Sequence, residues 1–166
     1  MSTSAIRTLF SYKAWANAEL FAALQKLPDG HSEQLHTCVR TLNHIYVVDR
    51  LFRARLAGEP APFHATNTKE TPTLSQLAAE VAETDAWYVA YVSQLTEPGL
   101  SRVLSFTFAD GDAGQMSVEE ILLHVTAHGA YHRGNVGQVL KSIDIAPPRD
   151  LYTKFLHLSQ PQRRQA

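Results

Sequence analysis

The 166-residue sequence predicts an all-α fold, a four-helix bundle with one long crossover loop, a short β-hairpin before the fourth helix and a short C-terminal helix. Three observations carry this. Apolar residues recur at helical spacing through four long segments. Stop signals separate those segments: Pro28-Asp29-Gly30, Gly58, Pro98-Gly99 and Pro147-Pro148. A capping box, Ser117-Val118-Glu119-Glu120, opens the last of them. One domain is expected over residues 1–160, followed by a polar tail at 161–166.

The first helix is expected from about Ser4 to Leu27, with Ile6, Phe10, Trp15, Leu20, Phe21 and Leu24 supplying apolar positions until Pro28 stops it. The second runs from about Ser32 to Leu56 and ends at Ala57-Gly58. Residues 58–72 hold three prolines with several Thr and Asn, a composition that suits a crossover or a lid over a site. Thr71 before Pro72 reads as the start of the third helix, which should reach about Leu95. The alternation from Val103 to Phe108, meeting a turn at Asp110-Gly111, predicts a hairpin. The fourth helix starts at the capping box and should run to about Ile145, and a fifth, short helix is expected from about Asp150 to Leu158.

Composition excludes several functional classes. A net charge of −1 with both signs mixed gives no electrostatic case for nucleic acid, and the one basic cluster, Arg163-Arg164, falls in the polar tail. A single cysteine, Cys38, leaves no internal disulfide and fits a reducing compartment. No apolar run approaches the ~18 residues of a membrane span, and no basic segment followed by an apolar stretch opens the chain. A cytoplasmic protein is the expectation.

The fourth helix carries the chemistry. Ile121, Val125, His128, His132, Val136, Val139 and Ile143 follow one another at spacings of 4, 3, 4, 4, 3 and 4, so they share one face. His128 and His132 therefore stand on the stripe that should face the core, one turn apart, where two imidazoles can converge on one ion. His124 adds another step of four. It is rotated roughly 100° from the stripe, and the row of three rises about 12 Å, too far for one ion with nitrogen ligands near ~2.1 Å. His124 is accordingly read as a possible pocket residue.

A further ligand must come from another helix. His44 is placed for it: Val47, Val48 and Leu51 follow at i+3, i+4 and i+7, a core-facing stripe of the second helix. Asp49 is rotated about 140° from His44 and is left out of the ligand set, its expected partner being Arg53 on the helix surface. Three imidazoles suit a divalent transition ion such as Zn, Ni or Fe and disfavour Mg and Ca. They also leave coordination positions for water or substrate, as in catalytic zinc sites. No HExxH is present, so the metalloprotease arrangement is absent.

SYKAWANAEL in the first helix, His44 within TLNHIYVVDRLFRARLAGE, and LLHVTAHGAYHRGNVGQVL in the fourth together resemble the DinB family of damage-inducible bacterial proteins, over essentially the whole chain. The resemblance implies a bundle with a His triad for a divalent metal, and by motif position that triad is His44, His128 and His132. It also implies a homodimer, and a small-molecule substrate handled in some relatives with a thiol cosubstrate by transferase or isomerase chemistry. Asn135 departs from the commoner HRGQ ending of the last motif.

Plainer readings stand beside these. A lone histidine on an apolar stripe is by default a hydrogen-bonded core residue. Three together would leave several buried nitrogens in need of partners at about 1–3 kcal/mol each, a need one ion meets. Arg133 can orient an anionic substrate, but a surface salt bridge is the simpler role, and Tyr12 and Trp15 are read as core. Leu123, Ala127 and Tyr131 form a second apolar stripe on the opposite side of the fourth helix that the hairpin, the last helix or a second subunit must cover. Three functions remain open: a metal-dependent enzyme of hydrolase or thiol-transferase type, a metal-binding stress-response module without turnover, and a metal-free bundle whose histidines sense pH.

Overall fold

The structure is a computed structural model that describes residues 2–164. Four long helices form the body: α1 (Thr3–Leu24), α2 (Ser32–Ala57), α3 (Leu74–Ser93) and α5 (Val118–Lys141). A short helix α4 (Glu97–Leu100), a hairpin of β1 (Val103–Thr107) and β2 (Ala113–Ser117), and α6 (Tyr152–Ser159) complete it. The strands pair antiparallel in the register Val103 with Ser117 and Thr107 with Ala113. In the expected tail, Pro161–Arg163 forms a 3-10 turn, and residues 165 and 166 lie outside the described residues.

Local chemistry sets the ends. Ser117 caps α5 as expected, its hydroxyl accepting from the Glu120 amide while Glu120 reaches back to the Ser117 amide. The third helix starts at Leu74 rather than beside Pro72, because Thr73 and Gln76 form a second capping box. It also ends at Ser93, and Glu97–Leu100 makes a separate turn of helix where only a stop was expected. The fourth long helix ends at Lys141, short of the expected Ile145. Asp144 adopts φ 59, in the left-handed region, and the Ile145 amide folds back to the Leu140 carbonyl at 3.0 Å, closing the helix before the prolines.

Two apolar clusters fill the bundle. One holds Leu20 and Leu24 of α1, Val39 and Leu42 of α2, Leu77 and Val81 of α3, and Val136 and Leu140 of α5. The other holds Ile6 and Phe10, Phe52 and Leu56, Tyr88 and Val92, and Val118 to Val125 of the same helices in turn. The clusters therefore mark opposite ends, and the order in which each helix meets them gives an up-down-down-up topology. Since α2 and α3 run in the same direction, residues 58–73 must return along the bundle, roughly 30 Å for a helix of α3's length. Between the two apolar ends, at mid-height, lie Lys13, Asn17, Asp49, Asp85, Gly129 and Arg133, all buried, together with the histidines.

Candidate metal centre

The polar mid-layer brings His44, His128 and His132 together. One nitrogen of each lies within 4.8 Å of the others, and all three rings are partly buried. His44 Nε2 and His128 Nε2 are 3.0 Å apart, and the three ring centroids are separated by 4.5–4.9 Å. Nitrogens held at about 2.1 Å by one ion lie at most about 4.2 Å apart, a condition the first pair already meets. These three histidines could hold a metal ion.

Their surroundings orient and discharge them. His44 Nδ1 is 2.6 Å from the Thr66 carbonyl, which can only accept, so Nδ1 carries the proton and Nε2 presents its lone pair to the cluster. His128 Nδ1 is buried without a protein partner among the described residues. Burial, then the neighbouring His132, His44, His124 and Lys13, push His128 down to about 3, and burial followed by His44 lowers His132. Uncharged imidazole is the form that ligates. The Asn135 amide lies 3.4 Å from His132 Nδ1, so this side chain touches a ring of the cluster.

The loop 58–73 is fastened to this face of α2 by main-chain and side-chain bonds together. Arg40 donates to the Thr68 carbonyl at 2.8 Å, Asn43 donates to Thr68 Oγ1 at 2.6 Å and to Asn67, and Asn67 donates back to the Arg40 carbonyl at 3.2 Å. The result is one wall of a cavity of about 470 Å3 that opens onto His44 and His128. The hairpin forms another wall, held to α2 by Arg55, whose Nη2 donates to the Thr107 carbonyl at 2.8 Å. His124 lines the cavity too, stacked on His128 at 5.4 Å and packed on Phe52 at 5.0 Å, and burial lowers its pKa. His64, which the sequence places only in a loop, lines the same space.

Behind the histidines runs a chain of buried charges that helical periodicity did not predict. Lys13 Nζ meets Asp49 Oδ2 at 2.7 Å and Asp85 Oδ1 at 2.5 Å, and Asn17 donates to Asp85 Oδ2 at 2.7 Å. Arg133 donates to Asn17 at 3.4 Å and pairs with Asp150 at 2.8 Å, while Tyr12 donates to the same carboxylate. Two expectations are corrected here. Arg133 makes its salt bridge in the interior, and the cavity it lines lies between α1, α5 and the segment 147–150, away from the triad. Asp49 pairs with Lys13 across the core, and Arg53 instead meets Glu83 at 3.4 Å on the surface, because position 49 faces α1 and α3. Tyr12 and Trp15 are only half-buried, packed against Phe155 of α6. The signal for the buried charges was present: Lys13 and Asn17 interrupt the stripe Ile6, Phe10, Leu20, Leu24, and Asp85 interrupts Leu77, Val81, Tyr88, Val92.

The family model of the DinB family matches residues 1–164. The chain is similar to Protein DinB of Bacillus subtilis (strain 168), at 23% identity over 169 residues covering 93% of this chain and 95% of the relative.

Proposed function

From the premise that the chain belongs to the DinB family, we propose that His44, His128 and His132 ligate one divalent transition ion, Zn, Ni or Fe, and that the protein is a metal-dependent enzyme of hydrolase or thiol-transferase type acting on a small molecule. The observation that carries this is the convergence of three imidazoles from two helices beside a cavity of substrate size. When bound, such an ion supplies Lewis acidity, lowers the pKa of a bound water or holds a thiolate.

The protein's own residues do the rest. The Thr66 carbonyl fixes the His44 ring, and burial keeps His128 uncharged. His124 and His64 offer imidazoles for hydrogen bonding or proton transfer on the cavity side. Metal analysis after exhaustive dialysis tests the reading. One ion per chain should be retained and lost in His44→Ala, His128→Ala and His132→Ala. Cobalt-substituted protein should show a thiolate charge-transfer band when a thiol is added, and a metal-free protein would refute the proposal.

A module without turnover is the second reading. It is favoured by the cavity lining, in which no Asp or Glu occurs, so no carboxylate stands ready as a general base. A cobalt site whose spectrum ignores thiols and hydroxamates would decide for it.

A homodimer in the cytoplasm completes the proposal. No helix among the described residues is long and apolar enough to cross a membrane. Leu123, Ala127 and Tyr131 remain exposed on α5, with Tyr131 at 69%, and a second subunit would cover them. Light scattering should report a dimer that Tyr131→Glu converts to monomer.

A further inference from the structure

The cavity beside the triad is walled by rings from three separate elements: Phe52 of α2, Phe63 of the 58–73 loop, and Phe106 and Phe108 of the hairpin segment. Three of these rings support one another, and Phe63 packs on Tyr46 at 6.1 Å. Phe106 meets Phe52 at 6.1 Å and Phe108 at 4.9 Å. Phe108 lies against Gly114 so closely that a Cβ there would collide with its ring, so the glycine reserves the place of this aromatic wall. Phe108 is 38% exposed, an aromatic ring held at the surface end of an apolar space.

One charge stands in this lining. Arg55 donates to the Thr107 carbonyl, and its guanidinium sits 5.6 Å from the centre of the Phe106 ring. Among the described residues no carboxylate pairs with it, in contrast to Lys13 and Arg133 in the core. His44 and Arg55 are eleven positions apart on α2, a rise of about 16 Å, with Val48, Leu51 and Phe52 between them on the cavity wall. The space is thus a trough with the imidazoles at one end, aromatic and aliphatic groups in the middle, and an unpaired cation at the other.

We propose that this trough binds an elongated monoanion with an aryl or branched apolar body, its anionic group at Arg55 and its opposite end at the histidine cluster. The proposal deepens the metal-site reading, and rests on it only for which end faces the histidines.

Binding of 4-phenylbutyrate, neutral 4-phenylbutyramide and butyrate to chelator-treated protein, measured by calorimetry, tests the class without metal. Phenylbutyrate should bind about tenfold or more tighter than butyrate, from burial of the ring. It should bind about fivefold tighter than the amide, from the charge. Arg55→Gln should abolish the second difference and keep the first, Arg55→Lys should restore part of it, and Phe63→Ala should reduce the first. Far-UV circular dichroism checks that each variant is folded. Equal affinity for butyrate and phenylbutyrate, or a charge preference that survives Arg55→Gln, overturns the proposal. On metal-loaded protein, a phenylalkyl hydroxamate carrying a distal carboxylate should bind tighter than phenylbutyrate. Failure of the protein to take up metal defeats the metal reading, while the metal-free titrations still decide whether the trough binds such an anion.

Discussion

Replacing Lys13 by Met tests the polar mid-layer most directly. Met keeps the apolar stem and removes the ammonium, leaving Asp49 and Asp85, whose side chains are 3% and 6% exposed, to face one another without their shared cation. Breaking a buried pair by removing one partner costs about 3–5 kcal/mol. For a domain of this size that corresponds to a fall in Tm of roughly 6–20 °C. The loss should depend on pH in a definite sense. Burial pushes Asp49 up to about 6 even though Lys13 opposes it. An acid whose pKa is raised on folding binds more protons in the folded state, so stability falls as pH rises from the unfolded value near ~3.9 through the folded one. Without Lys13 the folded value moves higher still and the window extends upward. The deficit of Lys13→Met relative to the parent should therefore be largest at pH 8 and smaller at pH 5. Urea unfolding of both metal-free proteins, followed by circular dichroism at the two pH values, measures it. A deficit below about 1 kcal/mol at pH 8, or one equal at both pH values, refutes the reasoning, given that a broken buried pair should cost several times as much. Adding Asp49→Asn should recover part of the loss, and strict additivity of the two substitutions would show that the pair is not coupled.

Three further outcomes follow from the same geometry. With free metal at a hundred times its Kd, linkage adds about 2.7 kcal/mol, so a chelator should lower Tm by roughly 5–11 °C in a thermal-shift assay, and no shift would contradict the site. Because His128 is pushed down to about 3, its ring stays neutral well below the ordinary imidazole value; chelator competition should find metal release centred below about pH 6.5, and release above it would count against His128 as a ligand. Gly134 has nothing within 4 Å of an added Cβ, whereas at Gly129 that atom would stand 3.2 Å from Arg133 Nη1, itself tied to Asn17 and beside Lys13. Gly134→Ala should therefore stabilise by about 0.5–1 kcal/mol and Gly129→Ala should forfeit that gain, a contrast that denaturant midpoints resolve.

What is legible in the sequence divides along the range of the interactions. The Ser117–Glu120 capping box and the hairpin turn at Asp110-Gly111 are set within a few residues, and both stand where the sequence puts them. Helical phase put each of His44, His128 and His132 on a stripe whose apolar members declare the core, the family resemblance named the same three, and the structure brings them within 4.8 Å of one another. Charged residues on such stripes are harder to read. Asp49 and Arg133 resemble surface partners because their actual companions, Lys13 and Asp150, are distant in sequence and belong to other elements. The ends of α3 and α5 moved for local reasons, a Thr73–Gln76 capping box and a left-handed Asp144, that Pro72 and the prolines at 147 and 148 overshadowed.

The bond from His44 to Thr66 has a consequence for comparing this chain with its relatives. The acceptor is a main-chain oxygen, and the Thr66 residue itself is exposed, so nothing in the side chain at that position is committed to the contact. A relative can change the side chain at that position and still aim the ring in the same way, provided the path of the chain past α2 is kept. Substituting Thr66 should leave the histidine's orientation untouched, while deleting one residue on either side should swing it. The determinant is the length and route of the segment, a quantity that identity scores do not register.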